Sequence, residues 1–86
     1  MDLPDTLRAA AHALSDRTDL EHATALAGLL QNRADDMESN IAIWRRTGQD
    51  VPALIAKYYG VYLTAARTVL SDSVTADPYY TVSKTI

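Results

Sequence analysis

One apolar stripe constrains the fold of this chain more than any other feature. Its residues recur alternately three and four positions apart, the spacing that keeps side chains on one face of an α-helix. They are Leu20, Ala23, Ala27, Leu30, Ala34, Met37, Ile41 and Trp44. The stripe stops before Thr47-Gly48, and a second apolar segment begins shortly afterwards. The sequence therefore predicts an all-α fold built on a helical hairpin.

Capping residues predict where the first two helices begin and end. A short first helix should run from about Pro4 to Leu14, because proline is favoured in a first helical turn. The second helix should open on the capping-box spacing Thr18-Asp19-Leu20-Glu21. It should continue to about Thr47, with Gly48 as the left-handed residue that ends it. The first helix is thus short and the second long.

A third helix and a tail follow the hairpin turn. Asp50 can cap this helix, Pro52 suits its first turn, and the pattern continues to about Leu70. We expect one helical domain over residues 1–78. Residues 79–86 are rich in Thr, Val and Tyr, which is typical of strands, so an extended or partly ordered tail is expected there. An unstructured end is the alternative.

Helix lengths predict how the bundle is arranged. At 1.5 Å per residue, the second helix spans about 43 Å, the third about 30 Å and the first about 17 Å. The first helix should then lie beside the N-terminal half of the second, and the third beside its C-terminal half. The large apolar side chains of the third helix cover an arc of about 200°, more than one neighbour buries. We therefore predict a homodimer, with the third helix or the tail at its interface.

A partner or dimer interface is predicted on the third helix, the hairpin tip and the tail, because tyrosine and tryptophan favour interfaces. The predicted residues are Trp44, Tyr58, Tyr59, Tyr62, Leu63, Val69 and Tyr80. Gly60, within the tyrosine cluster, would let another backbone approach closely. The alternatives are that these tyrosines belong to the core and that Trp44 closes the open end of the bundle. A catalytic tyrosine is the least favoured interpretation.

Other reactive residue types do not form a recognisable site in the sequence. His12 and His22 lack the paired helical spacing of bundle metal sites, so they are interpreted as surface histidines. Asp35, Asp36 and Glu38 form the strongest acidic patch, either a solvated helix face or a docking patch for a basic partner. No nucleophile elbow or phosphate-binding glycine loop occurs. We expect no enzyme, no metal and no cofactor.

Charge and composition narrow the classes of partner. The net charge is −3 and no basic face is evident, which disfavours nucleic-acid binding. No segment approaches the length of about 20 apolar residues that a membrane span needs. The acidic start, Met-Asp-Leu-Pro-Asp, differs from the basic start of a signal peptide, so a cytoplasmic location is expected. The chain has no cysteine, which excludes disulfides and thiolate metal sites.

These observations favour a small, non-enzymatic helical module for protein–protein interaction. It would act as a homo-oligomeric adaptor, an inhibitor or a structural subunit, with itself and an unidentified protein as partners. The alternative is a helical DNA-binding regulator, in which the first two helices and the short 15–18 turn form a helix-turn-helix. Its recognition helix would begin with Asp19, Glu21 and His22. This surface is acidic at the position that would have to contact DNA phosphates.

A further alternative comes from a resemblance in architecture. A two-helix hairpin of about this length with Trp44 near its turn resembles the WXG100 family of small secreted helical hairpins. That family's Trp-x-Gly is here Trp44-Arg45-Arg46-Thr47-Gly48, with two additional residues. Its C-terminal Tyr-x-x-x-Asp/Glu signal follows none of the tyrosines. The resemblance implies a small secreted helical hairpin.

Overall fold

Three α-helices account for most of the described part of the chain. The computed structural model describes residues 2–71, Tyr79 and Val82. Its helices are α1 (Leu3–Leu14), α2 (Ala23–Arg46) and α3 (Val51–Leu70). No strand occurs among the described residues. The predicted all-α class, with a short first helix and two longer ones, is confirmed.

The hairpin between α2 and α3 forms where the sequence predicts it. Gly48 has a φ of 70°, the left-handed conformation that glycine adopts at low cost. The Gln49 N–H donates to the Trp44 carbonyl over 2.9 Å, which satisfies one of the free carbonyls at the end of α2. A carboxylate oxygen of Asp50 accepts the Ala53 N–H over 3.4 Å and caps α3. Both predicted helix ends are confirmed.

The predicted start of α2 at the capping box is wrong. Residues 15–22 form turns, and the helix begins at Ala23, so Leu20 precedes the helical stripe. Within this connection the Arg17 guanidinium donates to both carboxylate oxygens of Asp19, over 2.9 and 2.7 Å. Those hydrogen bonds from Arg17 lower the pKa of Asp19 to about 2. A local ion pair stabilises the turn, and the connection is longer than a helix-turn-helix turn of three to four residues.

The predicted division of α2 between α1 and α3 is also wrong. The α1 helix packs against both α2 and α3, and more extensively than those two pack against each other. Arg8 of α1 pairs with Asp35 and Glu38 in the middle of α2, over 2.8 and 3.1 Å. Because residues 15–22 are a connection rather than helix, α1 can run back beside the C-terminal half of α2.

One core joins the three helices. The centre of the predicted stripe is fully buried, at Leu30, Ala34 and Met37. Leu26, which is not part of the stripe, is fully buried beside them. The buried apolar residues contributed by α1 and α2 are Leu7, Ala10, Ala11, Leu14, Ala23, Leu26, Leu30, Ala34, Met37 and Ile41. Those contributed by α3 are Ile55, Tyr59, Tyr62, Leu63, Ala65, Ala66 and Val69. Because α1 packs against α3, α1 covers part of the apolar arc that suggested a second subunit.

The tail contributes to this core at its two described positions. Val82 is fully buried within the core cluster, and Tyr79 packs against that cluster. Both residues have helical backbone, in contrast to the extended conformation predicted for the segment. The remaining residues of the predicted tail, including Tyr80 and Ile86, lie outside the described residues. Over the described part of the chain, no helix combines the length and apolar character that crossing a membrane demands.

Candidate functional site

An open groove with aromatic and polar walls lies between α2 and α3. It has a volume of about 440 Å³. Seven residues line this aromatic groove: Arg33, Asp36, Asn40, Trp44, Tyr58, Tyr59 and Tyr62. The α2 members follow one another at three- and four-residue intervals, so they share one helix face. Two antiparallel helices thus place their side chains along opposite walls of one groove.

A hydrogen-bonded triad fixes the middle of the aromatic groove. The Tyr59 hydroxyl donates to Asp36 Oδ2 over 2.6 Å, and Asn40 Nδ2 donates to the Tyr59 oxygen over 2.7 Å. Asn40 Nδ2 also lies 3.5 Å from Asp36 Oδ2. Tyr59 is only 2% exposed. Burial, followed by the hydrogen bond to Asp36, raises the pKa of Tyr59 to about 12, so its hydroxyl keeps its proton at neutral pH.

Two aromatic side chains form the accessible end of the groove. The Trp44 and Tyr58 rings stack with their centroids 6.2 Å apart and an interplanar angle of 26°. Trp44 also contacts the buried Tyr59 ring, at a centroid distance of 6.3 Å. Trp44 is half-buried, whereas Tyr58 is 54% exposed. Lys57 Nζ lies over the Tyr58 ring, 5.3 Å from its centroid. The pair forms an accessible aromatic surface, and Trp44 rests on the buried Tyr59 ring.

Arg33 supplies positive charge at the other end of the groove. Its Cζ atom lies 5.3 Å from the centroid of the Tyr62 ring, within range of a cation–π interaction. The interaction with the Tyr62 side chain raises the pKa of Arg33. Among the described residues, no carboxylate forms a salt bridge with Arg33. Its guanidinium is therefore positioned by the Tyr62 ring, and the nearby Asp36 carboxylate acts on it through charge without forming a salt bridge.

The structure separates the predicted interface residues into two groups. Tyr59, Tyr62, Leu63 and Val69 are buried within the chain's own core, at 2–5% exposure, which favours the core alternative for their packing. Trp44 and Tyr58 keep accessible area and contact each other. Tyr80 lies outside the described residues. Membership of an interface stays a prediction, and its accessible part is the Trp44–Tyr58 pair.

The predicted acidic patch is occupied by partners from the chain itself. Arg8 bonds to Glu38 and Asp35, and these hydrogen bonds raise the pKa of Arg8. Asp36 accepts from Tyr59 in the triad. The three carboxylates therefore face two different neighbours, α1 and α3, and do not form one unengaged docking surface.

The two histidines lie in different environments. His12 is exposed on α1. His22, which precedes α2, stacks on the Tyr79 ring with centroids 4.7 Å apart and an interplanar angle of 11°. Among the described residues, no three His, Asp or Glu side chains cluster in a way that could hold a metal ion. The His22–Tyr79 contact instead links the α1–α2 connection to the C-terminal segment.

Gly60, predicted to let another backbone approach closely, has no such neighbour among the described residues, and Gly28 in α2 has none there either. A Cβ atom placed on Gly28 or Gly60 would meet no described atom within 4 Å beyond the backbone of its own helix. Gly60 lines a shallow groove of about 370 Å³ on the opposite side of α3 from the Trp44–Tyr58 pair, together with Leu3 and Ile55. Contacts within the described part of the chain therefore do not explain either glycine.

Sequence reasoning missed Arg33 and Asn40 as members of the site. Both lie outside the apolar stripe, but they share the helix face of Trp44, which Asn40 precedes by four residues and Arg33 by eleven. Only the rotation of α2 against α3 reveals that they meet the tyrosines. What the groove offers is binding chemistry: an apolar surface, a cation and a fixed polar wall. No family model, curated protein or solved structure matches the chain.

Proposed function

We propose that this chain is a small, non-enzymatic helical interaction module that binds a protein partner through the aromatic groove. The observation that carries the proposal is the Trp44–Tyr58 pair, an accessible aromatic surface whose two rings stack at 6.2 Å and whose Trp44 packs on the buried Tyr59. Tryptophan and tyrosine dominate binding energy at protein interfaces because they bury large areas with few rotatable bonds. An adaptor, an inhibitor or a structural subunit would each work through such a contact.

The support beneath this surface favours binding. Trp44 packs against Tyr59, whose hydroxyl is held by Asp36 and Asn40. Side chains that are already ordered lose less conformational entropy when a partner binds, which improves affinity. A second copy of the chain is one candidate partner, and an unrelated protein is the other.

Site-specific photo-crosslinking in the native cell tests this proposal. Tyr58 is replaced by a photoreactive phenylalanine derivative, and Leu70 is replaced in the same way as a matched control. Both side chains are exposed on α3, at 54% and 42%, but Leu70 lies at the far end of the helix from Trp44. We expect a discrete protein adduct from position 58 and not from position 70, and mass spectrometry will distinguish a second copy from another protein.

A second substitution links the adduct to the groove. Trp44→Ala in the Tyr58-labelled chain should abolish the adduct while circular dichroism still shows a folded helical protein. If Trp44→Ala unfolds the chain, Trp44→Phe, which keeps an apolar ring of smaller area, should weaken the adduct. Equal adducts from positions 58 and 70, or none from position 58, would contradict the proposed function.

A further inference from the structure

We propose that the aromatic groove selects an acidic partner segment, with Arg33 binding a carboxylate of the partner and the Trp44–Tyr58 pair binding an apolar side chain. This inference rests on the proposed function and specifies the chemistry of the partner. It follows from the charged side chains of the groove and from the contacts that these side chains already make within the chain.

Arg33 differs from Arg8 and Arg17, the arginines that form salt bridges among the described residues. Arg8 contacts carboxylates of α1 and α2, and Arg17 contacts Asp19. Arg33 contacts the Tyr62 side chain and forms no salt bridge among the described residues, although the charge of Asp36 also acts on it. A guanidinium carries five N–H donors and binds carboxylates in a planar, bidentate geometry. The tyrosine ring orients the cation and leaves donors for an incoming acid.

The one carboxylate of the aromatic groove is already engaged. Asp36 Oδ2 accepts the Tyr59 hydroxyl over 2.6 Å and lies within reach of Asn40 Nδ2. A basic segment would have to compete with these donors and would also meet Arg33 and, beside Tyr58, the ammonium of Lys57. Arg33 and Lys57 thus place positive charge near the two ends of the groove, and Asp36 between them is hydrogen-bonded to Tyr59. This charge distribution favours an acidic occupant.

The length of the groove indicates a segment rather than a single residue. Its α2 lining runs from Arg33 to Trp44, a rise of about 16 Å at 1.5 Å per residue. This matches about three turns of a helix, and an amphipathic helix lying in a groove between two helices is a common mode of recognition. The partner should therefore carry an acidic residue about three helical turns away from its apolar anchor.

Three synthetic peptides and the fluorescence of Trp44 test the inference. Each peptide has about 15 residues, a leucine stripe at helical spacing and no tryptophan. They differ only at both ends, which carry Glu, Gln or Lys, because either direction of the helix is allowed. Trp44 is the only tryptophan of the chain and lies in the groove, so its emission reports binding there. We expect the Glu peptide to bind about tenfold more tightly than the Gln peptide, as a charge-assisted bidentate contact would give.

Matched arginine variants assign the effect to one side chain. Arg33→Gln should remove the preference for Glu over Gln, whereas Arg67→Gln, an exposed position on the other side of α3, should retain it. Arg33→Lys should restore part of the preference, because it keeps the charge without the bidentate geometry. Thermal unfolding of each variant checks that the fold is unchanged.

Each outcome decides the inference. Equal affinity for the Glu and Gln peptides, a preference for Lys, or equal losses from Arg33→Gln and Arg67→Gln would overturn it. In those cases the response of Trp44 would still support a groove that binds protein segments. If no peptide alters Trp44 emission, selection of an acidic segment is wrong, and crosslinking from position 58 decides the proposed function separately.

Discussion

Replacing Tyr59 by phenylalanine removes one oxygen atom and disconnects the triad that supports the aromatic groove. The lost hydroxyl donates to Asp36 over 2.6 Å and accepts from Asn40 over 2.7 Å. A hydrogen bond to a charged group contributes about 1.5–3 kcal/mol, and a neutral one contributes about 1 kcal/mol. Asp36 is exposed, so water replaces part of what it loses. We therefore expect Tyr59→Phe to lower the free energy of unfolding by about 2 kcal/mol.

The effect should depend on pH in a defined direction. The pKa of Tyr59 is raised from 10.0 to about 12 in the folded chain, so the folded state holds this proton more tightly than the unfolded state. Its contribution to stability is fully present below pH 10 and is lost as the pH rises through 12. The difference in stability between wild type and Tyr59→Phe should therefore be constant near neutral pH and should shrink in strong alkali.

Urea unfolding followed by circular dichroism, at neutral pH and again above pH 10, measures both effects. The loss of about 2 kcal/mol corresponds to a decrease in melting temperature of about 10 °C for a domain of this size. Tyr58→Phe is the matched control, because its ring is exposed and its hydroxyl has no hydrogen bond among the described residues. Equal stability of Tyr59→Phe and Tyr58→Phe, or a difference that does not change with pH, would refute the role of the triad.

Four other substitutions test the fold. Arg8→Gln should lower the urea midpoint slightly in low salt and hardly at all in high salt, because its ion pairs are exposed and screened. Asp19→Asn should be less stable than wild type above pH 4 and equally stable after acidification below pH 2, since the pKa of Asp19 is lowered from 3.8 to about 2. Gly60→Ala should raise stability by about 0.5–1 kcal/mol in thermal unfolding, because alanine favours the helical backbone more than glycine does. The added Cβ meets no described atom beyond its own helix backbone. Gly48→Ala should lower stability by about 1 kcal/mol in the same assay, since its φ of 70° strains any residue with a Cβ.

Local signals in the sequence predicted much of the fold. The heptad-like apolar spacing, Gly48 after the last turn of α2 and Asp50 before α3 act over a few residues, and the structure confirms each of them. The start of α2 was mispredicted because two local patterns compete in residues 17–21. The capping-box spacing favours a helix, but the Arg17–Asp19 ion pair stabilises a turn instead.

The candidate site was predictable only in part. Trp44 and Tyr58 stand out by residue type, and the structure leaves both accessible. The burial of Tyr59 and Tyr62 depends on how far α3 is rotated towards α1 and α2, which residue type does not reveal. Arg33 and Asn40 carry no distinguishing pattern, since polar residues outside an apolar stripe usually face water.

The sequence by itself determined that this chain forms an all-α hairpin and where that hairpin turns, because those outcomes depend on contacts between residues close in the chain. Tertiary structure decided which side chains meet across helices. It placed α1 against both longer helices, joined Asp36 and Asn40 to Tyr59, and left Arg33 over Tyr62 with no salt bridge to a described carboxylate. These pairings depend on the relative rotation and depth of packed helices, which the whole core sets together.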